Sequence, residues 1–195
     1  MTYTFVNTDQ PVPPDEAINV DFSIKASPST DIWEKPPSTH RFNAPILYRS
    51  IPLSSFKRAR VSVTAPWKER YDQGGLILVL QSAGWKEKKW IKTGIEFLEG
   101  RPNVSTVTKD RWSDWSLLPV PSGGNAATIE VCRESGGSLW IYLVEGISRV
   151  PIREVTWAFE QEDGVELWVG PYAAKPSDKP GELVVDFRHL IIETK

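Results

Sequence analysis

One cysteine, one methionine and two histidines in 195 residues leave little soft-ligand chemistry. The single Cys132 excludes an internal disulfide and any cysteine-built zinc cluster. His40 and His189 are too few for a histidine-rich metal site. They also give no Ser–His–Asp or Cys–His arrangement, and each reads as structural. A formal charge of −2 and a pI near 5.8 speak against a nucleic-acid or membrane-surface protein held by bulk charge. No run approaches the roughly 20 apolar residues of a membrane helix. The opening "MTYTFVNTDQPVPPDEA" has neither the basic start nor the apolar stretch of a secretory signal, so a cytosolic, or cytosolic and nuclear, protein is the simplest expectation. Acidic loops dense enough for calcium and glycine-rich phosphate cradles that open a helix are also missing. No metal or cofactor is implied.

Two residue types are abundant instead: nine tryptophans, and sixteen prolines spread along the chain. Tryptophan buries a large flat surface and also stacks on flat ligands, so composition alone leaves both uses open. Period-two alternation dominates and no convincing amphipathic helix is found. "NVDFSIKA" alternates cleanly, "GGLILVLQS" is a nearly continuous apolar run of the kind covered on both sides, and "EVCRESGGSLWIYL" reads as a hairpin about its "SGG" turn. "EVTWAFE" (Glu154–Glu160) is taken as a further strand. About eleven short strands separated by turn signals predict an all-β sandwich or jelly roll of two antiparallel sheets. Residues 1–195 read as a single domain, with residues 1–15 a Pro-rich extended lead-in.

The most informative stretch is "WIKTGIEF". Ile91, Thr93, Ile95 and Phe97 form one face, suited to a core. The alternate face carries Trp90, Lys92, Gly94 and Glu96, an unusual row for a solvated surface. Lys92 and Glu96 should have Cα atoms roughly 13 Å apart, with no side chain between them at Gly94. Glycine inside a strand weakens it and often marks close approach by something. The row reads as part of a ligand-facing surface, against the plainer reading of a solvated face paired to neighbouring strands.

Further candidates lie in three phrases. "YDQGGL" places Tyr71, Asp72 and Gln73 at the entry to a buried strand, where Asp72 either receives the Lys92 ammonium or caps the turn. "SDWS" offers Asp114 and Trp115, and "TDIW" presents Asp31 and Trp33 in the same manner. Asp114 is also a residue type that forms turns by bonding its own backbone. Arg133 supplies a guanidinium fork for a ligand carboxylate, for Glu96, or for a structural ion pair.

The phrases "STDIW", "YDQGGL", "WIKTGIEF", "VSTVT", "SDWS" and "VGPYAAKP", in this order, resemble the domain-of-unknown-function family labelled "regulation of enolase". That family belongs to the concanavalin A-like lectin/glucanase superfamily, and the likeness runs from about Val20 to Glu193. The resemblance implies a concanavalin A-like jelly roll, one sheet of which is curved into a concave groove. It implies no agreed activity, since related folds host lectins, hydrolases, lyases and scaffolds.

Three functions are therefore expected as alternatives. The first is binding of a carbohydrate or similar small polar ligand, with Trp33, Tyr71, Trp90 and Trp115 stacking and Asp72, Gln73, Lys92, Glu96 and Asp114 hydrogen bonding. The second is an enzyme using Lys92 with Asp72 or Glu96 as acid and base. A glycosidase of this kind needs a second carboxylate at defined separation from Glu96, with Asp72, Asp114 and Glu130 as candidates. The third is a regulatory module for a metabolic-enzyme partner, as the family label suggests.

Overall fold

The alternating stretches become strands in the computed structural model, which describes residues 2–195. Seven strands form one antiparallel sheet, in the order β1 (Thr4–Val6), β5 (Ile46–Pro52), β14 (Glu166–Ala174), β7 (Gln73–Gln81), β8 (Lys89–Leu98), β9 (Arg101–Lys109) and β10 (Ser113–Pro119). Six form the second, in the order β13 (Ser148–Val155), β12 (Leu139–Glu145), β11 (Ala126–Arg133), β6 (Phe56–Thr64), β15 (Leu183–Thr194) and β2 (Asp21–Ala26). A separate hairpin pairs β3 (Ile32–Lys35) with β4 (Thr39–Phe42). The two sheets make a jelly-roll sandwich. Among the described residues no helix is long and apolar enough to cross a membrane.

The inner faces meet in one large core. Ile91 and Ile95 of β8 join Leu76 and Leu78 of β7 against Val61, Ile129 and Phe187 of the other sheet, all buried. Thr93, on the same face, is satisfied by Thr106 of β9, hydroxyl to hydroxyl at 3.0 Å. At one side of the sandwich Arg153 of β13 reaches across to Asp114 of β10 at 2.6 Å.

Four strands escape the sequence pattern. Thr4–Val6 falls within the expected lead-in and pairs with β5. A short helix, α1 (Asp15–Val20), follows and buries Ile18. "EVTWAFE" is mostly turn; the strand in that region is β13, which ends at Val155. Its Pro151 disguises it, and a proline is tolerated there because β13 is an edge strand. The hairpin strands β3 and β4 are each only four residues long.

That hairpin decides the shape of the outer face of the seven-stranded sheet. One side of it, with Ile32, packs in a second apolar cluster with Ile77, Val79, Trp90 and Val107. Lys109 of β9, wholly buried, fastens it down. Its ammonium lies 3.2 Å from Glu34 of the hairpin and 3.0 Å from Glu87, and it donates to the Lys88 carbonyl at 2.9 Å. The Glu34 N–H donates to the Ser113 hydroxyl at 3.0 Å. At the root of the hairpin, Asn43 accepts from the Asp31 N–H at 2.8 Å and donates to the Ser29 carbonyl at 3.0 Å.

Gly75 and Gly94 face each other across β7 and β8. A Cβ on Gly94 would overlap the Gly74 carbonyl, and one on Gly75 the Thr93 carbonyl. The glycines are thus required by close approach of the two backbones, which corrects the sequence expectation that a ligand accounts for Gly94. Gly75→Ala or Gly94→Ala should lower the unfolding free energy by about 1–3 kcal/mol or more, as overpacking does. Gly84→Ala, where a Cβ meets nothing within 4 Å, should change it by no more than about 0.5 kcal/mol. Urea denaturation of the three variants checks the contrast.

Candidate functional site

The hairpin covers only part of the outer face. Beside it remains a recess of about 460 Å³. Its floor comes from Gln73 at the start of β7 and from Lys92 and Glu96 of β8. The bare Gly75–Gly94 pair lies between these rows, since Gln73 registers with Glu96 and Ile77 with Lys92. One wall is the other face of the hairpin, carrying Trp33, Lys35, Thr39 and Arg41. Opposite residues of β3 and β4 share a face, which puts Trp33 beside Arg41 and Lys35 beside Thr39.

Tyr71 and Trp115 complete the aromatic lining. The Trp115 ring meets Trp33 edge-on at 5.8 Å and Tyr71 at 6.1 Å. Tyr71 has a positive φ of 69°, and its N–H donates to the Phe97 carbonyl at 2.7 Å. On the side of β14, Pro176 closes the rim. It is held there because the N–H groups of Ser29 and Thr30 donate to the carbonyls of Ser177 and Lys175.

The floor holds an incompletely satisfied charge network. The Lys92 ammonium, 2 % exposed, donates to Gln73 Oε1 at 2.6 Å and lies 3.9 Å from Asp31 Oδ1. An ammonium has three protons to give, so two remain without an acceptor. Burial pulls the Lys92 pKa down, opposed by the nearby carboxylates of Glu96 and Asp31. Glu96 Oε2 accepts from the Ser105 hydroxyl at 2.7 Å, and that hydroxyl accepts from Trp115 Nε1 at 3.0 Å. Among the described residues Glu96 Oε1 has no hydrogen bond of its own beside that of Oε2. Burial pushes the Glu96 carboxyl up, opposed by Lys92 and the Ser105 bond. The buried Tyr172 hydroxyl, 3.4 Å from Gln73 Oε1, completes the cluster.

Trp33, Tyr71, Gln73, Lys92, Glu96 and Trp115 are thus brought together, and four other expected ligand-facing residues are not. Trp90 is fully buried beneath the hairpin, because the hairpin covers that end of its row. Asp72 caps a turn: its Oδ2 accepts from the N–H groups of Lys68 and Glu69 at 3.1 and 2.9 Å. It does not reach Lys92 and so is no acid–base partner for it. Asp114 is taken up by Arg153 at the edge between the sheets. Arg133 forms a two-pronged ion pair with Glu162.

Of the candidate second carboxylates, Glu130 sits on the six-stranded sheet between Arg58 and Arg149. The acid that does share the recess with Glu96 is Asp31. Lys35, Thr39, Arg41 and Pro176 line it without having been singled out from the sequence. The alternation of "WEK" and "THR" about "PPS" was the available signal for the hairpin.

Glu96 has a consequence that can be measured. A carboxyl raised above its ordinary value of 4.5 binds more protons folded than unfolded. Its contribution to stability is complete below 4.5 and is lost as pH rises through the folded-state pKa. Relative to wild type, Glu96→Gln should therefore gain stability as pH increases from about 4.5, whatever offset the substitution introduces. Melting temperatures of both proteins from pH 4 to 8 test this, and a difference that stays flat or falls would contradict it.

Known proteins share this fold. The uncharacterized protein AN7484 of Emericella nidulans is 59 % identical over 191 residues, covering 98 % of this chain and 95 % of that one. The crystal structure of a functionally unknown protein from Saccharomyces cerevisiae superposes with a TM-score of 0.79 at 23 % identity, over 99 % of this chain and 96 % of that one. LamA from Z. galactanivorans, crystallised as a variant with laminaritriose and laminaritetraose, has a TM-score of 0.54 at 9 % identity, over 99 % and 92 % of the two chains. At such identities the structural likenesses speak for the fold, a jelly roll shared with carbohydrate-active proteins. Residues 10–195 match the family described as protein of unknown function (DUF1349), and the chain belongs to that family.

Proposed function

We propose that the recess binds a carbohydrate or a closely similar small polyhydroxylated ligand. The observation that carries this reading is the pairing of an unfilled donor with an unfilled acceptor. Among the described residues Lys92 makes one of the three hydrogen bonds its ammonium can give, and Glu96 is held at Oε2 by Ser105, leaving acceptor capacity at its carboxylate. A sugar hydroxyl both donates and accepts, so neighbouring hydroxyls can satisfy such a pair together. The glycine band between Lys92 and Glu96 leaves the floor flat. Trp33, Tyr71 and Trp115 offer the apolar edges and faces that sugar C–H groups pack against. LamA, of the same fold, holds laminaritriose and laminaritetraose in its crystal structure.

A second reading, acid–base catalysis on such a ligand, is favoured by one further observation. Burial moves Lys92 down and Glu96 up, so both approach the pH range in which they can exchange protons with a substrate. The two residues would then serve as base and acid in an elimination or an isomerisation. A regulatory partnership with a metabolic enzyme such as enolase would need a docking face elsewhere. The exposed large hydrophobics are dispersed over the N-terminal segment, β10, the β12–β13 hairpin and β15, which favours the recess over a protein interface.

A metabolite and glycan binding screen on the purified chain, followed by calorimetry, tests both readings. Trp115→Ala or Trp33→Ala should weaken the captured saccharide about tenfold or more, as loss of a stacking anchor does, while Trp140→Ala on the opposite sheet should not. No saccharide among the captured compounds, or unchanged affinity in Trp115→Ala, would sink the binding reading. If the ligand is turned over, Lys92→Met should lower kcat by at least about a hundredfold more than it weakens binding. Equal turnover in that variant would remove the catalytic reading.

A further inference from the structure

Two features of the recess go beyond its capacity to bind a sugar. The first is that residues rim its floor both along and across the strands. Along the strands, the hairpin stands toward the middle of β8, and Tyr71 stands at the strand ends. Across the strands, Trp115 of β10 bounds one side and Pro176 beyond β14 the other. The tether of residues 175–177 to the hairpin root closes the path by which a long chain would leave past β14. A cup bounded in this way suits a small molecule or the last unit of a chain better than the interior of a polysaccharide.

The second feature is charge. The chain as a whole is net negative, yet the cup is lined by three cations, Lys35, Arg41 and Lys92, against two carboxylates, Asp31 and Glu96. Arg41 and Lys92 share the one carboxylate of Asp31 as loose ion pairs, at 3.6 and 3.9 Å. The Lys35 ammonium makes no hydrogen bond or ion pair among the described residues. The Arg41 guanidinium stands 3.6 Å from Asp31, beyond hydrogen-bonding distance, and Lys92 makes a single hydrogen bond. Lys35 and Arg41 project from the same face of the hairpin, one from each strand, toward the cup. They can both reach one anionic group at its mouth while Lys92 and Glu96 engage hydroxyls at its floor.

We propose that the cup is specific for a small saccharide bearing one negative group, a carboxylate or a phosphate, with that group held between Lys35 and Arg41. This rests on the saccharide reading above and narrows it in size and in charge. Both cations are exposed on the hairpin, so their replacement leaves the buried contacts of Lys109, Glu34 and Trp90 in place.

Calorimetry on the full chain at low salt tests it, with a uronate panel (glucuronate, galacturonate, mannuronate), glucose 6-phosphate, glucose and laminarihexaose as probes. One of the acidic sugars should bind at least tenfold more tightly than glucose, about the contribution of one charge-assisted hydrogen bond. The advantage should shrink with added salt and disappear in the Lys35→Ala/Arg41→Ala variant, which should bind the acidic sugar and glucose alike. The uronate and phosphate arms separate the two sources of charge. Laminarihexaose binding more tightly than every monosaccharide would overturn the cup while leaving a saccharide site. Glucose matching the acidic sugars would overturn the charge assignment in the same way. Saturable binding by none of the probes would defeat the saccharide reading itself, and this inference with it.

Discussion

The ligand side of the sandwich depends on one buried ammonium. Lys109, fully enclosed beneath the hairpin, holds Glu34 on one side and Glu87 and the Lys88 carbonyl on the other. Enclosing a charge is costly unless it is paired and hydrogen-bonded, and here all three protons of the ammonium have an oxygen nearby. Because the pairing needs both the hairpin and the β7–β8 connection in position, it ties two segments far apart in sequence to one spot on β9. With the hairpin absent, Ile77, Val79, Trp90 and Val107 would form an exposed apolar face, and the recess would lose its longest wall.

Lys92 makes the opposite kind of contribution. Its neighbours in β8, Ile91 and Thr93, face the core, yet among the described residues its ammonium makes one hydrogen bond of the three it can give, with Glu96 held nearby in part by Ser105. The same sheet thus contains one buried lysine that is satisfied and stabilising and one that is unsatisfied and facing a cavity. The cost of the second is readily understood if a ligand supplies what is missing. Polar groups left under-bonded inside a fold tend to mark places where function has overridden stability.

Much of this was legible in the amino-acid order. The alternation in "WIKTGIEF" gave the inward face, Ile91, Thr93 and Ile95, and placed Lys92 and Glu96 opposite; Trp33 and Trp115, expected on loops but found in β3 and β10, and the strand-entry pair Tyr71 and Gln73 followed from turn signals. What periodicity cannot convey is which part of an outward face the chain itself will cover. Trp90 belongs to the same row as Lys92 and differs only in lying under the hairpin. Nor does it reveal which partner a carboxylate chooses. Asp72 found two backbone N–H groups within four residues, and Asp114 and Arg133 found opposite charges elsewhere, Arg153 on β13 and Glu162 in the loop before β14. The hairpin was hidden because its strands are short and interrupted by adjacent prolines, Pro36 and Pro37.

The hairpin is an excursion fastened at its base by the Asn43 side chain and the Ser29–Thr30 backbone, and it shares no residue with the core between the sheets. Its tip can therefore be lengthened, shortened or re-lettered without disturbing the packing that holds the two layers together. Lys35, Thr39 and Arg41 sit on that removable part, while Lys92, Glu96 and Gln73 sit on the permanent one. Descendants of one ancestral sandwich could in this way exchange the selectivity of the mouth while inheriting the same floor.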